Sequence, residues 1–320
     1  PDPVLLQFHM REMASEGVSS CVMEASSIGI AENRLDGVHL RLAMFTNFSQ
    51  DHLDYHGDLD KYWQAKEALF DWPGLQAVVI NIDDPKGVLL ANKLQKAGQV
   101  KVWTYATQKQ DVKTTSQHIQ AVKVEYANRG MQFEIQLGDK FVSFNTTMVG
   151  HYNVSNLTGV IACLCALEHR LDDAAQACMN LPSVPGRMEL FGTTGDPLVV
   201  VDFAHTPEAL EGLLINAREI TRGRLTVVFG CGGDRDQAKR PLMGDIASRR
   251  ADMVIVTSDN PRSEDPHRII TEVVSGVEAN LAMVSSIVNR EKAIESAILG
   301  AKRGDMVVIA GKGHETTQEA

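Results

Sequence analysis

Apolar residues recur at helical spacing from Val4 to Glu16, Gly17 stands where a helix would end, and the continuous apolar run Val18 to Met23 follows. The pattern predicts a helix feeding a buried strand. A second apolar run, Leu40 to Phe45, leads into the polar loop Thr46 to Gly57, and Asp58 then precedes a helical pattern that carries Lys66. Ala77 to Ile82, a helical stretch after Asp83-Asp84-Pro85, and Val102 to Tyr105 continue the alternation. Strands and helices that alternate in this way build a parallel sheet, because parallel neighbours need a long return connection.

Between His118 and Val149 the period changes to two, as in Val122-Val124-Tyr126 and Phe133-Ile135-Leu137, with turn signals at Asn128-Arg129-Gly130 and Gly138-Asp139. This predicts a small antiparallel annex. Helical periodicity resumes over Val154 to Glu168 and Ala174 to Met179, and Pro182, Pro185 and Gly186 then punctuate the chain as a linker does. A domain boundary is expected near Arg187 to Thr194, giving domains 1–188 and 189–320. Beyond it run strand Leu198 to Val201, helix Pro207 to Arg218, strand Leu225 to Phe229, a Gly-rich turn and a helix near Pro241 to Arg249. Strand Met253 to Thr257, helix Pro266 to Val277, a short strand at Ala282 to Val284, helix Arg290 to Leu299 and strand Met306 to Ala310 complete a doubly wound α/β domain.

Composition narrows the function more than the fold. The 320 residues are 44% hydrophobic and 22% charged, the balance of an ordinary globular protein with length for two cores. A formal net charge of −10 argues against a general nucleic-acid binder, which needs a basic face, but leaves room for a local basic pocket. The five cysteines form no CxxC pair and no zinc spacing, and read as small buried hydrophobes in a reducing, cytoplasmic setting. No apolar run reaches transmembrane length. The chain opens at Pro1-Asp2-Pro3 without an initiator Met, as a piece of a longer protein would.

In such sheets ligands bind beyond the carboxyl ends of strands, so polar clusters that follow apolar runs are the candidates. Glu24-Ala25-Ser26-Ser27 offers a carboxylate for Mg²⁺ and two hydroxyls, although capping explains it equally well. Thr46 to Gly57 is denser in donors, acceptors and metal-ligand types than closing a loop requires, and Lys66, on the next helix, taken alone reads as a solvated lysine. In Asp202-Phe203-Ala204-His205-Thr206-Pro207, capping accounts for Thr206 and Pro207 but leaves Asp202 and His205 without a structural task. Gly230-Cys231-Gly232-Gly233-Asp234-Arg235-Asp236 invites a dinucleotide reading with Asp259 as the ribose acid. Arg235 stands where that motif needs a small residue, which suits the turn better to gripping a carboxylate or phosphate. Asp259-Asn260-Pro261-Arg262 and Gly311-Lys312-Gly313-His314-Glu315 complete a set fitted to a ligand with both amine and carboxylate groups.

Taken together, MEASS, TNFSQDHLDYHG, Gln64-Ala65-Lys66, HYNVSN, PGRMELF, VDFAHTPEAL, GCGGDRD, KRPLMG, SDNPRSEDP and GKGHE resemble, in order and spacing, the Mur ligases. The resemblance runs from end to end and implies a cytoplasmic, monomeric ligase of peptidoglycan synthesis. In that reaction ATP phosphorylates the D-Glu side chain of UDP-N-acetylmuramoyl-L-alanyl-D-glutamate, and the acyl phosphate is attacked by an amino acid's amine. It implies Glu24 and His52 as Mg²⁺ ligands and a carbamylated Lys66 that helps to hold a second Mg²⁺, with Lys66 and His205 catalytic. It further implies ATP contacts from Asn156, Arg187 and Asp202, and precursor contacts from Ser26, Glu32 and Arg34, where many relatives carry Gln in place of Glu32. Arg235, Asp259, Asn260, Pro261, Arg262, Gly311 and Glu315 would take the amino acid, and the DNPR form goes with meso-diaminopimelate. The chemistry agrees, since a second carboxylate on the amino acid can form a bidentate pair with Arg262 and L-lysine has none.

No GxxxxGK[ST] loop occurs in the chain, and the family carries its phosphate loop ahead of the segment that begins here, so these residues alone are expected to be inactive as a ligase. Two other readings stand beside the ligase: an NAD-dependent oxidoreductase, which uses only the glycine turn and Asp259, and a non-catalytic nucleotide-binding module. A folylpolyglutamate-type ligase would share the architecture without needing DNPR.

Overall fold

The computed structural model describes residues 2–49, 53–108, 117–127, 130–193, 195–278 and 280–318. Contacts divide the chain into two compact units: Pro1–Glu125, Gln132–Asn145 and Tyr152–Asn180 form one, and Tyr126–Met131, Thr146–His151 and Leu181–Ala320 the other.

The first unit begins with α1 (Pro3–Ser15), capped by Asp2, whose carboxylate accepts from the Val4 and Leu5 amides at 2.9 and 3.0 Å. Gly17 follows in the left-handed conformation at φ +86°, as a C-terminal glycine should. The strand predicted over Val18 to Met23 does not form. That stretch is irregular and its Val18 and Val22 side chains are 46% and 98% exposed. An apolar run becomes a strand only where a neighbouring backbone takes its hydrogen bonds. Next come α2 (Ser27–Ala31), which the sequence pattern missed, β1 (Leu42–Phe45), α3 (Leu53–His56) and α4 (Leu59–Glu67). Asp58 caps α4 as expected, accepting from Lys61 N at 2.8 Å. β2 (Ala77–Asn81), α5 (Pro85–Ala97), β3 (Lys101–Ala106), β4 (His118–Ala127), β5 (Gly130–Leu137), β6 (Lys140–Thr146), α6 (His151–Ala166) and α7 (Leu171–Met179) follow.

β1 to β6 lie side by side in sequence order, with β1 to β4 parallel. β4, β5 and β6 are joined by two-residue connections, which only antiparallel neighbours allow. The annex is therefore a continuation of the first sheet. Val78, Val79 and Ile80 are fully buried, and Phe45, Trp63, Phe70, Leu90 and Leu94 pack into the same core. Each such side chain contributes on the order of 1.5–3 kcal/mol of burial.

The second unit holds β7 (Glu189–Phe191), β8 (Leu198–Asp202), α8 (Pro207–Ile220), β9 (Leu225–Phe229), α9 (Lys239–Arg250), β10 (Met253–Val256), α10 (Pro266–Val274), β11 (Met283–Ser286), α11 (Arg290–Gly300) and β12 (Met306–Ala310). The strand order is β11-β10-β9-β12-β8-β7, parallel apart from β7 against β8. The order reverses at β9 and β12, and the loops after β8, β9, β10 and β12 leave the same edge of the sheet. A reversal of this kind opens a crevice at the strands' carboxyl ends. Among the described residues, no helix is long and apolar enough to cross a membrane.

Candidate active site

In the first unit, Ser26 caps α2, its hydroxyl accepting from Gly29 N at 3.0 Å, so the capping reading of that serine holds. Ser27 is buried and its hydroxyl meets His56 Nε2 at 3.0 Å. Glu24 stands exposed in the irregular loop just before. Arg34 donates from Nε to Glu32 at 3.0 Å, and Tyr55 donates to the same carboxylate at 3.4 Å. Lys66 is half-buried, with Nζ 5.0 Å from the centre of the Tyr62 ring, and Tyr62 packs in turn against Phe48 and His56. The plain surface-lysine reading does not describe this position. His52 lies outside the described residues, and Asn156 is exposed on the first turns of α6. Among the described residues, no group of three His, Cys, Asp or Glu side chains is placed to hold a metal ion.

In the second unit, Asp202 ends β8 buried, accepting from Met188 N and Ala204 N at 2.8 Å each. It therefore has a structural task after all, as does His205, whose Nδ1 lies 2.9 Å from the Phe203 carbonyl and acts as donor to it. Burial pushes the Asp202 carboxyl above its usual range, and the two amides and nearby Arg187 work against that shift. The Arg187 guanidinium covers the Phe203 ring at 4.6 Å, and His314 stacks on that ring at 5.6 Å.

Two glycine turns meet behind this group. Gly186 has φ +67°, and a Cβ there would lie 2.3 Å from the Gly313 carbonyl carbon. Gly186→Ala combines a disfavoured backbone with a clash against main chain, and is expected to cost about 2–4 kcal/mol. A thermal melt of the chain should show the second unit's transition lowered by roughly 5–15 °C; a change under about 1 °C would mean that the turns can separate freely.

The glycines after β9 have a packing explanation. A Cβ on Gly230 would approach the Thr257 carbonyl oxygen to 2.3 Å, and one on Gly233 the Pro261 carbonyl oxygen to 1.8 Å. Their smallness admits the 257–262 loop, a demand that the dinucleotide reading does not make. The two loops are tied at several points. Gly233 N donates to Asn260 O at 2.9 Å, Arg262 Nη1 to Gly233 O at 2.6 Å, and Ser263 Oγ to Asp234 at 2.7 Å. Arg240, fully buried, bridges Glu264 and Glu272 and also donates to Gly232 O at 3.3 Å. Arg262 holds the left-handed region at φ +51° and keeps an exposed guanidinium at the rim. Arg235 is exposed on the neighbouring turn, and Pro261 is buried under the rim.

Gly311 starts the loop after β12 at φ +112°, and a Cβ there would come within 3.3 Å of Asp259 Oδ2. Lys312 reaches across to Asn260 Oδ1 at 2.7 Å, with Glu315 at 3.5 Å and Asp259 at 3.8 Å. The structure thus brings Asp259, Asn260, Arg262, Gly311 and Glu315 to one edge of the second sheet. It adds three cations that the sequence reading did not single out: Lys312, Arg240 and Arg290. A signal for two of them was present, since Arg240 shares a helical face with Met243 and Ala247, and Arg290 with Ala293 and Ala297, all buried.

The chain matches the family model of the Mur ligase middle domain over residues 1–164 and that of the Mur ligase glutamate ligase domain over residues 186–313. It is 48% identical over 323 residues to a UDP-N-acetylmuramoyl-L-alanyl-D-glutamate–2,6-diaminopimelate ligase of Acidovorax sp. (strain JS42), covering all of this chain and 63% of that protein. The protein of the same description from Nitrosomonas europaea is 42% identical, with 64% of it covered. The chain thus spans a little under two thirds of these curated relatives. A solved structure of a UDP-N-acetylmuramoyl-L-alanyl-D-glutamate–2,6-diaminopimelate ligase superposes with a TM-score of 0.72 at 36% identity, covering 100% of this chain and 64% of that one. A Mycobacterium tuberculosis folylpolyglutamate synthase shares the fold at a TM-score of 0.65 and 22% identity.

Proposed function

The chain belongs to the Mur ligase family, and on that premise we propose that its protein uses ATP to join meso-diaminopimelate to UDP-N-acetylmuramoyl-L-alanyl-D-glutamate. The observation that carries the choice of amino acid is the Arg262 guanidinium, which is held by Gly233 O and sits on the loop that also carries Asp259 and Asn260 and that Lys312 links to Glu315. A guanidinium on a loop edge that also bears carboxylates matches an amino acid whose far end bears a carboxylate and an ammonium on one carbon. We take 1–188 as the ATP-binding domain and 189–320 as the domain that receives the amino acid.

In this reading ATP phosphorylates the D-Glu carboxylate, and the amine of the incoming amino acid displaces phosphate from the acyl phosphate to leave an amide. Arg187, spread over Phe203, presents a guanidinium to phosphate, and Asp202 and Asn156 are assigned to ribose and adenine. Asp202 can play this part only in a limited way, because both its carboxylate oxygens already accept backbone amides. Ser26, Glu32 and Arg34 are assigned to the UDP precursor, where the Arg34–Glu32 pair must open or be shared. Arg235 and Pro261 line the amino-acid end, with Gly311 leaving space beside Asp259. His205, exposed beside Phe203, is the second catalytic candidate after Lys66.

Magnesium fits the donor set. Mg²⁺ is usually held by one or two carboxylates together with substrate phosphates, so a three-residue protein cage is not required. Glu24 and His52 would hold magnesium, a carbamylated Lys66 would help to hold a second ion, and the metal would supply neutralisation of phosphate charge. Positioning by the protein supplies the rest.

The test is ATP-dependent phosphate release by the full-length protein given the UDP-dipeptide precursor and either meso-diaminopimelate or L-lysine. Release that requires both the precursor and meso-diaminopimelate is expected. No release with any amino acid would overturn the reading, and precursor-independent reduction of NAD would favour the oxidoreductase.

A further inference from the structure

Lys312 is the least exposed lysine at the edge described above, at 9%. Its ammonium donates to Asn260 Oδ1 at 2.7 Å and to the Thr317 carbonyl at 2.8 Å, with Glu315 Oε2 at 3.5 Å and Asp259 Oδ1 at 3.8 Å. It is held from both sides by the loops that follow β10 and β12. Behind it Arg290 is 8% exposed, donates Nη2 to Ala310 O at 2.8 Å, and feels the same two carboxylates. Lys312 is thus a buried cation set between two carboxylates. A buried lysine loses side-chain entropy and hydration, and such a group is retained where its charge is needed.

We propose that Lys312 is the internal counter-ion of Asp259 and Glu315, and that by cancelling their charge it makes the pocket select a distal end bearing both ammonium and carboxylate over a lone ammonium. This rests on the amino-acid site assigned above. With Lys312 present, an incoming lone cation finds its carboxylates already compensated and brings no anion to satisfy Arg262. A zwitterionic end exchanges charge for charge: its ammonium shares Asp259 and Glu315 while its carboxylate meets Arg262. Removing Lys312 leaves an uncompensated carboxylate, which attracts a lone ammonium more strongly and repels the second carboxylate of meso-diaminopimelate. Lys312 is thus a specificity-determining residue that acts through the charge of its neighbours.

The experiment is a competition between meso-diaminopimelate and L-lysine in the full-length protein carrying Lys312→Met or Lys312→Arg. With methionine, kcat/KM should fall for meso-diaminopimelate and rise for L-lysine, moving their ratio about tenfold or more. Arginine should restore the ratio to within about threefold of the unmutated protein, because it returns the charge. The rise for L-lysine separates this role from a merely structural one, since damage to the loops cannot improve a substrate. Equal loss for both amino acids, or an unmoved ratio, overturns the proposal. Hydrogen exchange in the unliganded protein is the second measurement: amides of residues 259–262 and 311–317 should exchange faster with methionine and recover with arginine, and unchanged exchange counts against Lys312 as the link. An unmutated protein that prefers L-lysine, or uses neither amino acid, instead rejects the function proposed above.

Discussion

Arg262→Ala is expected to lower the preference for meso-diaminopimelate over L-lysine by about 30- to 1000-fold, the equivalent of about 2–4 kcal/mol for a desolvated bidentate charge-assisted contact. The guanidinium is exposed, so that value applies only once a ligand displaces its water. The fold prepares it for that role. Arg262 Nη1 donates to Gly233 O at 2.6 Å, which fixes one end of the fork and leaves Nε and Nη2 for a carboxylate. The left-handed backbone at φ +51° is held by Ser263 on Asp234, by Gly233 N on Asn260 O and by Glu264 on Arg240, none of which depends on the Arg262 side chain. Truncation should therefore remove the contact and spare the loop. Apparent affinities for ATP and for the UDP precursor should move little, which separates the result from unfolding. Competition between the two amino acids in the full-length protein reads the ratio directly. An unchanged ratio would remove Arg262 from the site, and so would a preference for L-lysine before mutation.

The ends of elements were readable wherever one residue both stops and satisfies a backbone. Asp58 and Thr206-Pro207 cap their helices where the local pattern put them, because a cap bonds within three residues of itself. Val18 to Met23 failed for the opposite reason: whether an apolar run becomes a strand depends on a partner elsewhere in the chain. The glycine turn after β9 is a third case. Its glycines invite a dinucleotide loop, Arg235 speaks against one, and the Pro261 carbonyl packed against Gly233 gives the glycines a reason that no local pattern reports. Lys312 lies inside GKGHE, but its partner Asn260 is 52 residues away and no local spacing reports its burial. Asp202 stood out as chemically unusual; its Ala204 donor is local, but its Met188 donor, 14 residues back, could not be inferred from neighbours in sequence. The motif resemblance supplied a role for Asp202 that local patterns did not.

Lys66→Ala is expected to reduce turnover by about 100-fold or more, because it removes the carbamate that would complete an anionic site for Mg²⁺ beside the transferring phosphoryl group. The modification joins the neutral Lys66 amine to CO₂, forming an N–C bond and releasing one proton, and it turns a cation into an anion. The amine lies 5.0 Å from the Tyr62 ring centre, an arrangement worth about 0.5–1 kcal/mol to an ammonium. A carbamate would lose that attraction and meet the negative face of the ring instead, so it should swing away from Tyr62. Two variants separate these contributions. Lys66→Arg keeps a cation over the ring but cannot be carbamylated, and should be as inactive as alanine. Tyr62→Phe keeps the ring, and should leave turnover within about threefold. Short carboxylates such as acetate, added to Lys66→Ala, should recover part of the lost rate by filling the space the carbamate occupied. Carbon-13 bicarbonate offers a readout independent of turnover: the full-length protein should show a carbamate resonance that Lys66→Ala and Lys66→Arg both lack. If arginine retains activity, or if no carbamate signal appears while the protein turns over at full rate, Lys66 acts as an amine and the assignment of its modification is wrong.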